Sequence, residues 1–297
     1  MIEFFQKKGA STELAELLVT LLDAAAEIAS SVVVTSTGKA GSHNSFGEEQ
    51  IAMDVAAEHL IESRLRACPF VASFCSEELD ALQKVHADGR FSVFYDPLDG
   101  SSLFDANFSV GTIVGIFEGA EVLGRNCREQ VAAFYAMYGP RTTVMCTVGS
   151  GVFELTLLDG VWTVSVPEVQ LRGDKKYFAP GNLRATADRP DYFALVTDLM
   201  KEQYTLRYTG GMVPDINHIF KKGSGIFMYP GTSKEPNGKL RLLYECGPMA
   251  MLMEQAGGAA STGEQSVLDL TIADYTQRTP ILIGQKEDVE RAVEALA

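Results

Sequence analysis

Two aspartates three residues apart, Asp96 and Asp99, stand in the stretch YDPLDGSS (95–102), with Gly100, Ser101 and Ser102 directly behind them. Asp, Pro and Gly are ordinary turn residues, and a surface turn would account for them. The preceding run FSVFY (91–95) is apolar, aromatic and β-branched, however, so it reads as a buried strand. The acids therefore fall where a strand ends, the edge at which open α/β sheets bind ligands. Glu77 and Glu78 likewise follow the short apolar segment of SFCSEELD. Glu245 closes KLRLLYE just before Pro248 opens a helix. Asp54 shares one side of a helix predicted from about residue 48 to 67 with Glu48, Ile51 and Val55.

Taken singly, each of these acids is ordinary solvated charge. Gathered at neighbouring strand ends, they would repel one another and destabilise the fold unless cations neutralised them. An all-oxygen set suits hard divalent ions such as Mg²⁺, with water and phosphate oxygens completing the coordination. The cluster thus predicts a two- or three-metal site, whose usual work is in-line displacement at phosphorus. Gly100, Ser101 and Ser102 can then turn backbone N–H groups and hydroxyls toward a phosphate.

The elements that must position these residues are legible as hydrophobic periodicity. TELAELLVTLLDAAAEIASSVVV (12–34) carries Leu14, Leu17, Leu18, Leu21, Leu22, Ala25, Ile28 and Val32 at helical spacing, with Thr12 as its expected N-cap. Strands are expected at 91–95 and 110–117, and GVFELTLLDGVWTVSV (151–166) as a hairpin turning at Asp159-Gly160. Short strands and helices then alternate: TLRYT, GIFMY, KLRLLYE, a helix from Pro248 to Ala256, PILIG and a closing helix from Lys286. The pattern changes near residue 172, which predicts two layered α/β subdomains.

The net charge of −14 argues against a nucleic-acid surface and requires local cations wherever an anion binds. No apolar stretch is expected to approach the roughly 20 residues of a membrane span. The opening MIEFFQKKGASTEL has the features of neither a signal nor a transit peptide, so a cytoplasmic protein is expected, with an organelle as the alternative had a leader been removed. Five cysteines without a C-x-x-C pair read as buried reduced thiols, and the four histidines show no zinc spacing.

DPLDGSS with its upstream SEE resembles the lithium-sensitive, magnesium-dependent phosphatases, which include the inositol monophosphatases. GKLRLLYECGPMAMLMEQAGG narrows the resemblance to the fructose-1,6-bisphosphatase family. NSFGEEQIAMD, GPRTT, FAPGNLRAT and RYTGGMVPDIN are similar to its sedoheptulose-1,7-bisphosphatase branch. Together these motifs run from about residue 44 to 258.

The resemblance implies an α/β fold with layered αβαβα architecture. Residues 1–172 would hold metal and the 1-phosphate, residues 173–297 the rest of the substrate, and the active site would lie between them. It implies two to three Mg²⁺ per subunit, replaceable by Mn²⁺, held by Glu77, Asp96, Asp99, Glu245 and the Leu98 carbonyl. Glu78, paired with Asp54, would activate the attacking water, with Glu48 where the family often has an assisting Asp. Ser101 and Ser102 would cradle the departing 1-phosphate. The sugar and distal phosphate would meet Asn182, Arg207, Tyr208, Gly211, Met212, Tyr229, Lys239 and Arg241. Arg207 in this pattern reaches across to a neighbouring subunit, so a homo-oligomer, dimer or tetramer, is expected.

The implied reaction is hydrolysis of the 1-phosphate of sedoheptulose 1,7-bisphosphate, with fructose 1,6-bisphosphate, or use of both sugars, as the runner-up. An inositol monophosphatase trails, because it needs no second phosphate site. A catalytically silent regulatory homologue trails as well, because the full carboxylate set is intact. Two departures bear on regulation. TSTGKAGSHNSFG (35–47) lacks the cysteine pair that plant plastid relatives carry there, and Arg90-Phe91 replaces a Lys-Tyr pair of AMP-inhibited relatives.

Overall fold

The computed structural model of the chain describes residues 1–35, 39–43 and 49–297. Helices α1 (Ile2–Lys7) and α2 (Thr12–Val34) precede the strand pair β1 (Lys39–His43) and β2 (Glu49–Ile51), and helix α3 (Ala52–Ala67) follows. Then come β3 (Val71–Ser76), β4 (Gln83–Lys84), β5 (Phe91–Asp99), the short helix α4 (Ser101–Phe104) and β6 (Val110–Glu118). Strands β7 (Gln130–Tyr138), β8 (Thr142–Thr147), β9 (Val152–Leu158) and β10 (Val161–Val169) complete an eight-stranded sheet, ordered β10-β9-β8-β7-β6-β5-β3-β4.

The remaining chain supplies β11 (Tyr177–Pro180), α5 (Pro190–Lys201), β12 (Thr205–Leu206), α6 (Met212–Lys222) and β13 (Ile226–Tyr229). Helix α7 (Gly247–Gln255), β14 (Ala259–Ser261), β15 (Ile281–Gly284) and α8 (Lys286–Leu296) end it. Its strands form a second sheet in the order β12-β11-β13-β15-β14.

Each sheet is buried on both faces, which produces the expected αβαβα layering. Helices α2 and α3 cover one face of the large sheet around Leu17, Leu21, Ile28, Ile61, Val93 and Phe134. Helices α6 and α7 fill the space between the sheets through Val213, Ile216, Phe220, Met249 and Met253. Helices α5 and α8 close the outer face of the small sheet through Tyr192, Leu195, Leu199 and Val289.

Several local expectations are corrected. Ser11, not Thr12, caps α2, its Oγ accepting the Leu14 N–H at 3.2 Å. Contrary to expectation, α2 is long and apolar enough, by length and composition, to cross a membrane. Here Leu14, Leu17, Leu18, Leu21 and Leu22 on this helix are buried in the core, and a core helix meets the same criterion. Helix α3 starts at Ala52 because Ile51 is its extended N-cap, tied down by its own N–H to Asp54 Oδ2 at 2.9 Å. Glu48 lies outside the described residues. Of TLRYT only Thr205–Leu206 pair as a strand, and KLRLLYE is not a strand at all. Leu242–Cys246 forms a π-helical turn that runs straight into α7.

Candidate active site

Parallel pairing of β3 with β5 brings two acidic strand ends side by side. Ser76 is in register with Tyr95, and the Glu77 N–H continues the ladder to the Tyr95 carbonyl at 3.2 Å. Glu77 therefore emerges beside Asp96. Residues three apart on a regular strand point to opposite faces. The β5–β6 register shifts between Asp96 and Asp99, and this irregularity around Pro97 lets both carboxylates reach one pocket.

Glu245 arrives from the other side. The π-helical turn is closed by the Arg241 carbonyl, which accepts the Glu245 and Cys246 N–H groups at 3.2 and 2.9 Å. Glu245 Oε2 folds back to accept the Arg241 N–H at 2.5 Å. Asp96, Asp99 and Glu245 each then offer an oxygen within 4.8 Å of the other two, all three buried.

Burial is the main reason these carboxyls resist ionisation. Asp96 is pushed well above the usual carboxylate range, first by burial and then by the charges of Glu77, Asp99 and Glu245. Glu245 is raised by burial and Glu77, against the help of the Arg241 N–H. Asp99 is raised by burial only to about 6, because the N–H groups of Val213 (2.7 Å) and Met212 (3.1 Å) donate to it from the start of α6. A glycine permits that approach. Asp99 pairs with Gly111 on β6, where a Cβ would lie 2.6 Å from both Val213 Cγ1 and the Ala136 carbonyl. Buried acids that raise one another's pKa, all with oxygen donors, fit a hard divalent ion.

Glu77 joins this field through its charge while making an ion pair with the buried Arg241 guanidinium at 3.5 Å. Arg241 is buried and is not among the residues lining the cavity described below. The Leu98 N–H donates to Asp96 Oδ1 at 2.9 Å. Burial pushes Asp54 up to about 7 against the help of the Ile51 N–H, and the charge of Glu78 raises it further.

One acid of this region was not foreseen. Glu58, one turn beyond Asp54 on α3, is buried, and its Oε1 accepts the Tyr95 hydroxyl at 2.7 Å. Burial raises it to about 7, while the Tyr95 and Ser76 hydroxyls stabilise its charged form. Ser76 Oγ also accepts the Glu78 N–H at 3.2 Å. Glu58 so bridges Ser76, the last residue of β3, and Tyr95 of β5. Its i, i+4 relation to Asp54 was the available signal.

Behind Asp99, Gly100 adopts φ +80° and turns the chain into α4, with Ser101 half-buried and Ser102 exposed. Gly100 packs closely on Gly211, whose Cα lies 3.5 Å from where a Cβ would stand. Buried Asp215 accepts the N–H groups of Thr209 (2.7 Å) and Gly210 (3.3 Å), holding the turn that carries Tyr208, Gly211 and Met212.

A cavity of about 780 Å³ collects four of the predicted sugar-binding residues, Asn182, Tyr208, Tyr229 and Lys239. It also contains Arg184 and Lys234, which were not foreseen. Asn182 sits at φ +50° and donates Nδ2–H to the Pro230 carbonyl at 2.8 Å, joining β11 to the end of β13. Arg207 is not among the lining residues. It is exposed, donates to the Leu206 carbonyl at 2.8 Å and lies 5.9 Å from the Tyr177 ring.

Buried carboxylates on β5 and a π-helical turn, with a donor-rich cavity whose Tyr229 feels the charge of Glu245, suit a metal-assisted phosphatase. The sequence matches the profile "Fructose-1-6-bisphosphatase, N-terminal domain" over residues 2–166 and "Fructose-1-6-bisphosphatase, C-terminal domain" over 171–297. The chain belongs to the fructose-1,6-bisphosphatase family, and it is a sugar bisphosphatase. It is 44% identical over 296 residues to fructose-1,6-bisphosphatase class 1 of Trichlorobacter lovleyi, covering 98% of this chain and 93% of that one. It is equally 44% identical over 299 residues to the chloroplastic sedoheptulose-1,7-bisphosphatase of Triticum aestivum, covering 99% and 76%. A Toxoplasma gondii crystal structure provisionally assigned as a sedoheptulose-1,7 bisphosphatase superposes with a TM-score of 0.94 at 36% identity, covering 100% and 98%.

Proposed function

We propose that this enzyme removes the 1-phosphate of sedoheptulose 1,7-bisphosphate in a Mg²⁺-dependent reaction, releasing sedoheptulose 7-phosphate and inorganic phosphate. The chemistry rests on the buried cluster of Asp96, Asp99 and Glu245. The choice of sugar rests on the motifs FAPGNLRAT and RYTGGMVPDIN and on the likeness to the wheat enzyme. Fructose 1,6-bisphosphate is the second reading, favoured by equal identity to the Trichlorobacter enzyme.

Glu77, Asp96, Asp99, Glu245 and the Leu98 carbonyl would hold two to three Mg²⁺, or Mn²⁺ in their place. Bound there, the cations would polarise the phosphoryl oxygens and offset charge on the departing alkoxide. Glu78 would take a proton from the attacking water, with Asp54 paired beside it. Ser101 and Ser102 hold the 1-phosphate with N–H and hydroxyl donors. Asn182, Tyr208, Tyr229 and Lys239 align the sugar and its far phosphate, with Gly211 and Met212 shaping the floor. Arg241, whose guanidinium pairs with Glu77 and whose backbone N–H donates to Glu245, would contact the substrate beside these acids.

We read the protein as a cytoplasmic homo-oligomer in which Arg207 serves a neighbouring subunit's site. Its exposure and its absence from this chain's cavity support that reading. Five free, buried cysteines suit a reducing compartment.

Phosphate release from both ketose bisphosphates, with and without Mg²⁺, tests the proposal. The expected result is Mg²⁺-dependent release with the higher kcat/KM on the seven-carbon substrate. A higher value on fructose 1,6-bisphosphate replaces this reading with the second, and Mg²⁺-independent release removes the metal mechanism.

A further inference from the structure

A sugar bisphosphate carries two strongly anionic groups, and the carboxylate cluster with its cations accounts for only one. The other must be neutralised by side chains of the protein, which carries net charge −14. The cavity of about 780 Å³ holds three cationic residues, Arg184, Lys234 and Lys239, and two acids, Asp188 and Glu235. Both acids are already engaged. Asp188 Oδ2 accepts from the N–H (2.8 Å) and the hydroxyl of Ser233, and Glu235 pairs with Lys239 at 3.7 Å.

Arg184 differs from Lys239 in this respect. Among the described residues, no hydrogen bond or ion pair engages its guanidinium. Its backbone is nonetheless held firmly. The left-handed Asn182 starts the turn Leu183–Ala187, and its side chain fastens that turn to Pro230, the residue after Tyr229. The Arg184 charge is felt at both Tyr208 and Tyr229, where it works against the burial that holds each phenol above its ordinary value. Both tyrosines therefore present intact O–H groups beside a guanidinium, a donor-rich wall suited to phosphate oxygens.

We propose that Arg184 grips the phosphate remote from the metal cluster and is a specificity-determining residue for bisphosphates over sugars with a single 1-phosphate. The inference rests on the sugar-bisphosphatase reading and holds for either ketose. A planar guanidinium meets phosphate through two parallel N–H bonds, a geometry a lysine ammonium does not reproduce.

The test compares wild type, Arg184→Ala and Arg184→Lys on sedoheptulose 1,7-bisphosphate, fructose 1,6-bisphosphate and fructose 1-phosphate. Arg184→Ala is expected to raise KM for both bisphosphates by about 10- to 100-fold, the loss of a charge-assisted contact. Its kcat should stay within about threefold, and Arg184→Lys should recover part of the KM. Turnover of fructose 1-phosphate should not change. Inhibition by sedoheptulose 7-phosphate, which lacks the 1-phosphate, should weaken in parallel, while inhibition by inorganic phosphate should not. An equal loss on all three substrates, or unchanged KM and inhibition, overturns the assignment. A wild-type preference for the six-carbon substrate overturns only the sedoheptulose reading, because the mutant-to-wild-type ratios are compared within each substrate.

Discussion

The two ends of the site are built on opposite plans. At the carboxylate end Asp96, Asp99 and Glu245 are buried, held by β5, a π-helical turn and the first N–H groups of α6. At the far end Tyr208, Arg184 and Lys239 are exposed side chains around an open cavity. Under the proposed function, the difference follows from what each end would do. Repelling carboxylates must be forced together so that a cation finds its ligands in place, and only burial and backbone hydrogen bonds can hold them there. A phosphate that is bound but not altered needs donors that can close on it and let go.

The sharpest way to break this comparison is to exchange the kinetic consequences of the two ends. Glu78→Gln should lower kcat by about 10³-fold or more with the fold intact, since it removes the proton acceptor. Lys239→Ala should instead raise KM several-fold, by about the value of one charged contact, with kcat kept. Steady-state kinetics with a thermal melt of each variant checks both. Near-normal turnover by Glu78→Gln would remove it from the chemistry.

A second variant probes the rigidity of the metal end. In Gly111→Ala the new methyl meets Val213 and the Ala136 carbonyl, so α6 must move away from Asp99. A stability loss of about 1–3 kcal/mol is expected, as for other overpacked positions. Weaker Mg²⁺ activation should accompany it, read from the Mg²⁺ concentration giving half-maximal rate. Unchanged activation would show that the α6 N–H groups do not position Asp99.

The smallest effect concerns pH. Asp54 and Glu58 have folded pKa values raised to about 7, well above ordinary carboxyl values. The folded state therefore binds more protons than the unfolded state between about pH 4 and 7. The stability these groups permit is complete below that window and is lost as pH rises through it. Glu58→Gln keeps an acceptor for the Tyr95 hydroxyl but cannot ionise. In chelator-treated protein its melting temperature should gain on wild type by a few degrees from pH 5 to 8, the scale of about 1 kcal/mol per pH unit for one such group. A constant difference across that range would mean that Glu58 stays neutral or is no more costly buried than exposed.

Much of the site was legible because its residue types are chemically conspicuous. Paired acids at strand ends followed by Gly-Ser-Ser have few structural uses, and the αβαβα layering follows the family resemblance and the apolar spacing of 12–34. Glu58 was missed because an acid on a helix one turn from another acid looks like solvated charge until packing buries it. Arg184 was missed for the complementary reason. It stands in FAPGNLRAT, but only the folding of β11 against β13 brings it beside Tyr208 and Tyr229. KLRLLYE was misjudged because its alternation suits a strand, whereas the Glu245 carboxylate folding back to the Arg241 N–H makes a π-helical turn.

By itself the sequence determined which side chains can ligate, accept a proton or meet a phosphate, and which runs must be buried, since side-chain chemistry and periodicity are local properties. Only the tertiary structure decided that a register shift in β5 turns Asp96 and Asp99 to one side, and that α6 donates to Asp99. It also decided that a guanidinium faces an open cavity. Those outcomes depend on groups far apart in the chain, whose approach is set by packing and by the need to pair every buried polar atom.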